Sequence, residues 1–441
     1  MATPIEQRYI DAHQKCADFY STSKDLFPNG VTHDARNLKP FPYFVSHAQG
    51  ARKWDVDGDE IIDYTGGHGA LLLGHNHPDI VAAVSEQMAK GTHYAASTEV
   101  EIRWAQWVRE LIPCSEKLRF VSSGTEATLM ALRMARSYTG KTKAVQFHDH
   151  FHGWHDYLRA HDAGHGGIPE ETGSTVISIP ANDIGVVEAA LKDNDVAAII
   201  IEPTGSHMGQ APVRPSFLSE LREITQRLGV VLIFDEVVTG FRTSKGGAQA
   251  YFGITPDICT LAKILGGGLP AGAVTGKAEI IDMIQLQDDP EFNATRRIAH
   301  FGTFNANPLS AAAGARALEL VATQPINDRA DAAAARLKEG FNDVLTRLEI
   351  PGCSAGIASA IFLRLGVDHE CDKEVCVLTP EDQHTVENAT RSHQLALALY
   401  NHGVSGGPRF IVSSAHTDRD VDETVAASEK ALLDLRAAGL I

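Results

Sequence analysis

"VVLIFDEV", residues 230–237, decides the reading of this chain. Five apolar residues run without a polar alternation and end on Asp235 and Glu236. A strand with one wet face alternates, so this one is predicted to be covered on both faces, as in a parallel sheet. Immediately upstream, Phe217, Leu218, Leu221, Ile224 and Leu228 recur at helical spacing, and Gly229 stops that helix. "VAAIIIEP" (196–203) repeats the buried-strand pattern, and "DICTLAKILGGG" (257–268) holds a third strand. "KLRFVSS" (117–123) precedes a helix over about 125–137. Strands alternating with amphipathic helices from about 65 to 320 form a βαβ rhythm, which predicts an α/β fold with a mostly parallel sheet between helices.

The texture changes after about residue 325. An Ala-rich helix (330–348), a "GIASAIFLRL" strand (356–365), a long helix (381–402) and a last helix (422–438) predict a smaller α+β domain. The first thirty residues read as one helix, and "GARKWDVDGDEIIDYTGG" (50–67) as a hairpin turning at Asp57-Gly58. The expected partition is an N-terminal segment, 1–64, that joins the small domain; a large domain, 65–324; and a C-terminal small domain, 325–441.

With 441 residues, 44% hydrophobic and 22% charged, the chain is composed like a globular enzyme. A net charge of −17 speaks against nucleic acid or an anionic membrane surface as partner. The N-terminus has no apolar signal core, and the apolar runs are strand-length, so a cytoplasmic protein is expected. Six scattered cysteines read as reduced thiols. Cys371 and Cys376, with four residues between them in an acidic loop-like segment, are two zinc-ligand types, but no metal site is expected.

Ligands of open α/β sheets sit at the carboxyl ends of the strands, so the polar residues there carry the chemistry. "SSGTEA" (122–127) ends a strand and opens a helix, where small residues and the helix N-terminus suit a phosphate. A glycine turn with an N-cap would look the same. Asp235 closes a hydrophobic strand, and a buried carboxylate needs a partner. Lys263 follows an apolar strand and precedes three glycines, a setting that disfavours its ammonium form and makes a nucleophilic amine. A phosphate cup, a buried acid and an activated lysine on successive strands match the needs of pyridoxal 5'-phosphate.

On these motifs the chain resembles the class III pyridoxal-phosphate aminotransferases, of transferase fold type I (aspartate aminotransferase-like). "WDVDGDEIIDYTGG", "LGHNHP", "SSGTEAT", "FHGWHD", "IIIEP", "IFDEVVTGFR", "LAKILGGGLPAGAVTG", "GTFNANP" and "SSAHT" resemble its glutamate-1-semialdehyde aminomutase branch across nearly the whole length. Within that branch "NGVTHDAR", "GGHGALLLGH", "YAAS", "EIRWA", "EPTGSHMG" and "GTF" resemble the stereo-inverting D-phenylglycine aminotransferase group.

The resemblance implies roles for residues of this sequence. Lys263 binds the cofactor aldehyde and shuttles the proton, and Asp235 pairs with the pyridinium nitrogen. Val237 packs on one ring face. Ser123, Gly124 and Thr125 bind the phosphate. His207 falls where the aminomutase pattern has an asparagine near the ring hydroxyl, and Glu202 supports the same edge. Arg36 and Arg409 are the two candidates for the substrate carboxylate, and His68 lines the pocket. Thr303 reaches the phosphate of the neighbouring subunit, so a homodimer is implied. The expected reaction moves an amino group between an amino acid and a 2-oxo acid, both small molecules. An aminomutase or a racemase of the same fold is the alternative.

Two features stand apart. "SGGPRF" (405–410) has Gly407 where the aminomutase pattern has a glutamate, with Arg409 beside it, which favours an amino acid and a 2-oxo acid over the aminomutase reaction. "HDHFHGWHD" (148–156) has the residue types of a zinc or iron site. The resemblance instead puts Phe151 on the pyridoxal ring and His152 beside it, leaving His148, His150 and His155 as turn and pocket-wall residues.

Overall fold

The computed structural model describes residues 2–162, 164–192 and 195–441. They divide into two units: Met1–Gly67, Leu72–His77 and Asp328–Ile441 in one, His68–Leu71 and Pro78–Asn327 in the other. The chain therefore crosses between them at the "GGHGALLLGHNH" stretch as well as near residue 327.

The second unit is built on a seven-stranded sheet. Its strands lie in the order Lys117–Val121, Gly272–Gly276, Ile258–Ala262, Val231–Asp235, Val196–Ile201, Lys143–Phe147, Val176–Ile179. Every pairing is parallel except those of Gly272–Gly276, which runs antiparallel to both neighbours. Two separate cores explain why the deciding stretch does not alternate. Val231, Ile233, Ala198 and Ile200 belong to one core, beneath the Gly124–Thr139 helix. Leu232, Phe234, Ile199 and Ile201 belong to the other, beneath the Pro215–Leu228 helix. Both faces are dry, so both need apolar side chains. The predicted third strand is shorter than its motif: Ile258–Ala262 is strand, and Lys263–Gly266 is a turn of 3-10 helix.

The first unit holds a four-stranded sheet (Val45–Gln49, Arg52–Asp55, Glu60–Asp63, Val404–Ser405) and a three-stranded one (Gly352–Ala355, Ala360–Leu365, Arg409–Ile411). The predicted hairpin is present, with Gly58 at φ +105° and its amide bonded to Asp55 Oδ1 at 2.8 Å. Three expectations need correcting. The N-terminal thirty residues form two helices, Pro4–Ala12 and Gln14–Ser23, because His13 leaves helical geometry. The helix expected over 381–402 is also two, since Asn388 accepts from Arg391 N and caps a new start at Ala389. The strand expected from 356 begins at Ala360. Inside this unit Asp63 is held well below the usual carboxylate range: burial pushes it up, but His75 and Lys53 bond it at 2.7 and 2.8 Å and prevail.

Candidate active site

Most of the predicted residues of the second unit lie at or just beyond the carboxyl ends of its strands. Asp235 is the last residue of its strand, and its side chain is buried. Oδ2 stands 2.7 Å from His152 Nδ1, while Oδ1 accepts from Thr260 Oγ1 at 3.0 Å and from Val237 N at 3.1 Å. Strand register sets one of these partners, because Thr260 lies opposite Asp235 in the parallel ladder. His152 is fixed from behind, where Thr128 Oγ1 donates to its carbonyl at 2.6 Å. Its Nε2 is buried with no partner among the described residues. With Nδ1–H given to the carboxylate, Asp235 stays an acceptor, as a pyridinium partner must be.

Ser123 caps the Gly124–Thr139 helix by accepting from Glu126 N. Gly124 lies against the acid's strand, for an added Cβ would sit 3.0 Å from Val237 Cγ1. Gly153, at φ +96°, leaves no room either: a Cβ there would meet Thr125 Oγ1 at 2.6 Å and Thr125 Cα at 2.8 Å. Gly124, Thr125 and Val237 thus pack into one close-walled corner together with the turn after Phe147. That corner contains a helix N-terminus, the setting a phosphate requires. Lys263 directly follows the neighbouring strand at φ +51°, a left-handed value that costs a non-glycine residue energy and is characteristic of functional positions.

Glu202 organises the other edge. Its Oε1 accepts from Phe151 N at 2.8 Å and from His207 N at 3.2 Å. Burial pushes its carboxyl up to about 7, against the pull of His152 and of the two amides. Phe151 and His207 stack with ring centroids 6.2 Å apart, the Arg159 guanidinium carbon lies 5.9 Å from the Phe151 centroid, and Phe151 is 46% exposed. His150 accepts from Glu202 N through Nδ1 at 3.1 Å, and burial pushes its imidazole well below the usual range. Burial also takes His155 down to about 4. His150 and His152 bond to different partners, and among the described residues both buried ring nitrogens of His155 have none and the histidines of 148–156 do not gather around one point.

The remaining predicted residues are divided between the two units. Thr303 lies exposed on a turn of the second unit, and His68 is half-buried at φ +56° in the short Gly66–Gly69 helix. Arg36 belongs to the first unit, is exposed, and donates to Thr32 Oγ1 at 3.0 Å. Arg409, also of the first unit, opens a strand opposite Phe362. Sequence reasoning missed Thr260 and the pairing of His152 with Asp235. The signal for the first was a threonine in the middle of an apolar strand.

A buried acid held as an acceptor, a strained lysine just after the next strand, a tight helix N-terminus and an exposed aromatic ring fit pyridoxal phosphate. The fold and these residues define a pyridoxal-phosphate enzyme of transferase fold type I. The model of the aminotransferase class-III family matches residues 33–352, and the chain belongs to that family. It is 38% identical over 438 residues to glutamate-1-semialdehyde 2,1-aminomutase 2 of Brevibacillus brevis, an alignment covering 95% of this chain and 98% of that one. An ω-transaminase from Sphaerobacter thermophilus superposes with a TM-score of 0.85 at 33% identity, covering 96% and 98% of the two chains. A transaminase with PLP bound superposes with a TM-score of 0.85 at 26% identity, covering 97% and 99%. No helix among the described residues is long and apolar enough to cross a membrane.

Proposed function

We propose that this enzyme transfers an amino group between an amino acid and a 2-oxo acid such as 2-oxoglutarate, with aromatic, D- and β-amino acids as the first donors to test. Amino-group chemistry rests on the buried His152–Asp235–Thr260 chain beside the Lys263 strand. Pyridoxal phosphate, when bound, supplies an electron-accepting ring that stabilises the carbanion left by α-proton removal. The chain's own residues do the rest. Ser123, Gly124 and Thr125 bind the phosphate at the helix N-terminus. Asp235, kept an acceptor by three donors, holds a proton on the ring nitrogen. Phe151 and Val237 cover the ring faces, and Glu202 fixes Phe151 and His207 through their backbone amides. Lys263 Nζ takes the α-proton and returns it on the other side of the transfer. Arg36 or Arg409 grips the substrate carboxylate bidentately, and His68 lines the pocket.

Transfer between two substrates, as opposed to isomerisation of one, is supported by Gly407. It stands in open space, with no atom within 4 Å of an added Cβ, where the aminomutase pattern carries an acid. A second reading has the stronger support from the relatives: glutamate-1-semialdehyde 2,1-aminomutase is the name borne by relatives that match along nearly all of the chain. One assay separates the two. Glutamate-1-semialdehyde given alone should yield little 5-aminolevulinate, while D- and L-phenylglycine, β-phenylalanine or glutamate with a 2-oxo acid should turn over. Fast isomerisation with no donor-dependent transfer would establish the second reading.

The active unit is proposed to be a homodimer. Thr303 sits between Phe301, 90% exposed, and Phe304, 60% exposed. Large apolar side chains so placed are normally covered by a partner surface. A second copy would bring Thr303 to the neighbouring phosphate.

A further inference from the structure

Three of the six cysteines meet a histidine in the first unit, in a place the amino-transfer chemistry does not use. Cys353 lies on the Gly352–Ala355 strand. His369, Cys371 and Cys376 come from residues 366–379, which form neither helix nor strand. Antiparallel pairing of Cys353 with Arg364 folds the start of that run back over Cys353. The four ligand atoms all lie within 4.8 Å of one another. Cys353 Sγ is 4.0 Å from Cys376 Sγ and 3.7 Å from His369 Nε2, and the latter two are 2.9 Å apart.

Zinc–sulfur bonds of about 2.3 Å and zinc–nitrogen bonds of about 2.0 Å give a tetrahedron with edges of roughly 3.5–3.8 Å. The observed separations bracket that range, so sub-ångström side-chain shifts would close the shell. Cys353 and Cys376 are buried, and His369 and Cys371 half-buried. His369 Nδ1 is buried with no partner among the described residues, and the polar contacts of this imidazole run through Nε2 to the sulfurs.

The surrounding backbone is already fixed as a cup. Arg364 Nη1 donates to Cys376 O at 2.6 Å, and Gly356 N to Lys373 O at 3.1 Å. Asp372 Oδ1 accepts from Glu374 N and Val375 N. We propose that Cys353, His369, Cys371 and Cys376 form a structural Zn2+ site that staples residues 366–379 to the sheet. Three thiolates and one imidazole make a closed shell without an open position, the donor set of structural zinc. The thiols release their protons to solvent as the ion binds. A disulfide between Cys353 and Cys376 would use neither Cys371 nor His369.

The test uses the full-length, cofactor-loaded enzyme expressed with zinc in the medium and purified without a histidine tag or chelator. Metal analysis should find one Zn2+ per chain, and replacement with Co2+ should give tetrahedral d–d bands with sulfur-to-metal charge transfer. Cys376→Ser and the half-buried Cys371→Ser should lose most of the metal and melt lower, while Cys114→Ser keeps it. Retained pyridoxal phosphate absorbance would show that the variants are folded. A wild type that binds neither Zn2+ nor Co2+ overturns the proposal. So does an intact mass short of two hydrogens that is restored by reductant, for the cluster would then be a disulfide.

Discussion

His152 Nδ1 lies 2.7 Å from Asp235 Oδ2, and the two side chains are 0% and 3% exposed. A hydrogen bond this sheltered is not screened by solvent, so it fixes the orientation of the Asp235 carboxylate. Removing a hydrogen bond to a charged group costs about 1.5–3 kcal/mol. His152→Ala is therefore expected to weaken pyridoxal phosphate binding by about 10- to 100-fold. His152→Asn, which retains a donor, should recover part of it. Titration of the apo-enzyme followed by absorbance reads the effect. Unchanged affinity and rate in His152→Ala would remove the pair from the account.

Glu202 gives a pH signature. Its folded value, about 7, lies above the ordinary 4.5, so the folded state keeps a proton that the unfolded chain gives up. Its contribution is fully present below pH 4.5 and is lost as pH rises toward 7. A shift of this size corresponds to about 3 kcal/mol. His150 and His155 act with the opposite sign: their lowered values favour the fold above their ordinary range and cost stability on acidification below it. The difference between wild type and Glu202→Gln isolates the carboxyl. Denaturant unfolding of the two apo-proteins should show the wild type losing stability relative to the variant between pH 5 and 7.5. Parallel profiles would show that Glu202 is ionised throughout.

Gly153→Ala should damage the phosphate corner. The added carbon would press on Thr125, whose backbone cannot yield without shifting the helix start. Cofactor affinity is expected to fall tenfold or more. Gly140→Ala, also at positive φ but in open space at a helix C-cap, should cost about 1 kcal/mol of stability and leave that affinity alone. Equal cofactor binding by wild type and Gly153→Ala would contradict the placement of the phosphate.

Phe301→Asp should convert a dimer to monomers in light-scattering measurements and lower cofactor retention, since Thr303 would lose its place beside the second copy. A variant that remains dimeric with full cofactor would separate these phenylalanines from the interface.

What the sequence disclosed and what it hid divide along physical lines. Val231–Asp235 was legible because a strand between two cores must be apolar on both faces. Asp235 and Lys263 were legible as polar residues closing such strands. The His152–Asp235 pair was not, for 83 positions separate them and only the turn after Phe147 brings them together. Thr260 depends on strand register, which no local pattern records. The break at His13 was hidden because both helices share one apolar periodicity, while the break itself depends on backbone geometry at a single residue. Cys353 lies far enough from His369, Cys371 and Cys376 that the cluster exists only once two strands have paired.

The central claim is that Lys263 is the residue that holds the cofactor. Borohydride reduction of the pyridoxal phosphate-loaded enzyme, followed by peptide mass mapping, tests it most directly. The account predicts one phosphopyridoxyl group per chain, on Lys263, and none with cofactor absorbance abolished in Lys263→Ala. Label on another lysine, or an unlabelled chain that still turns over, would contradict it.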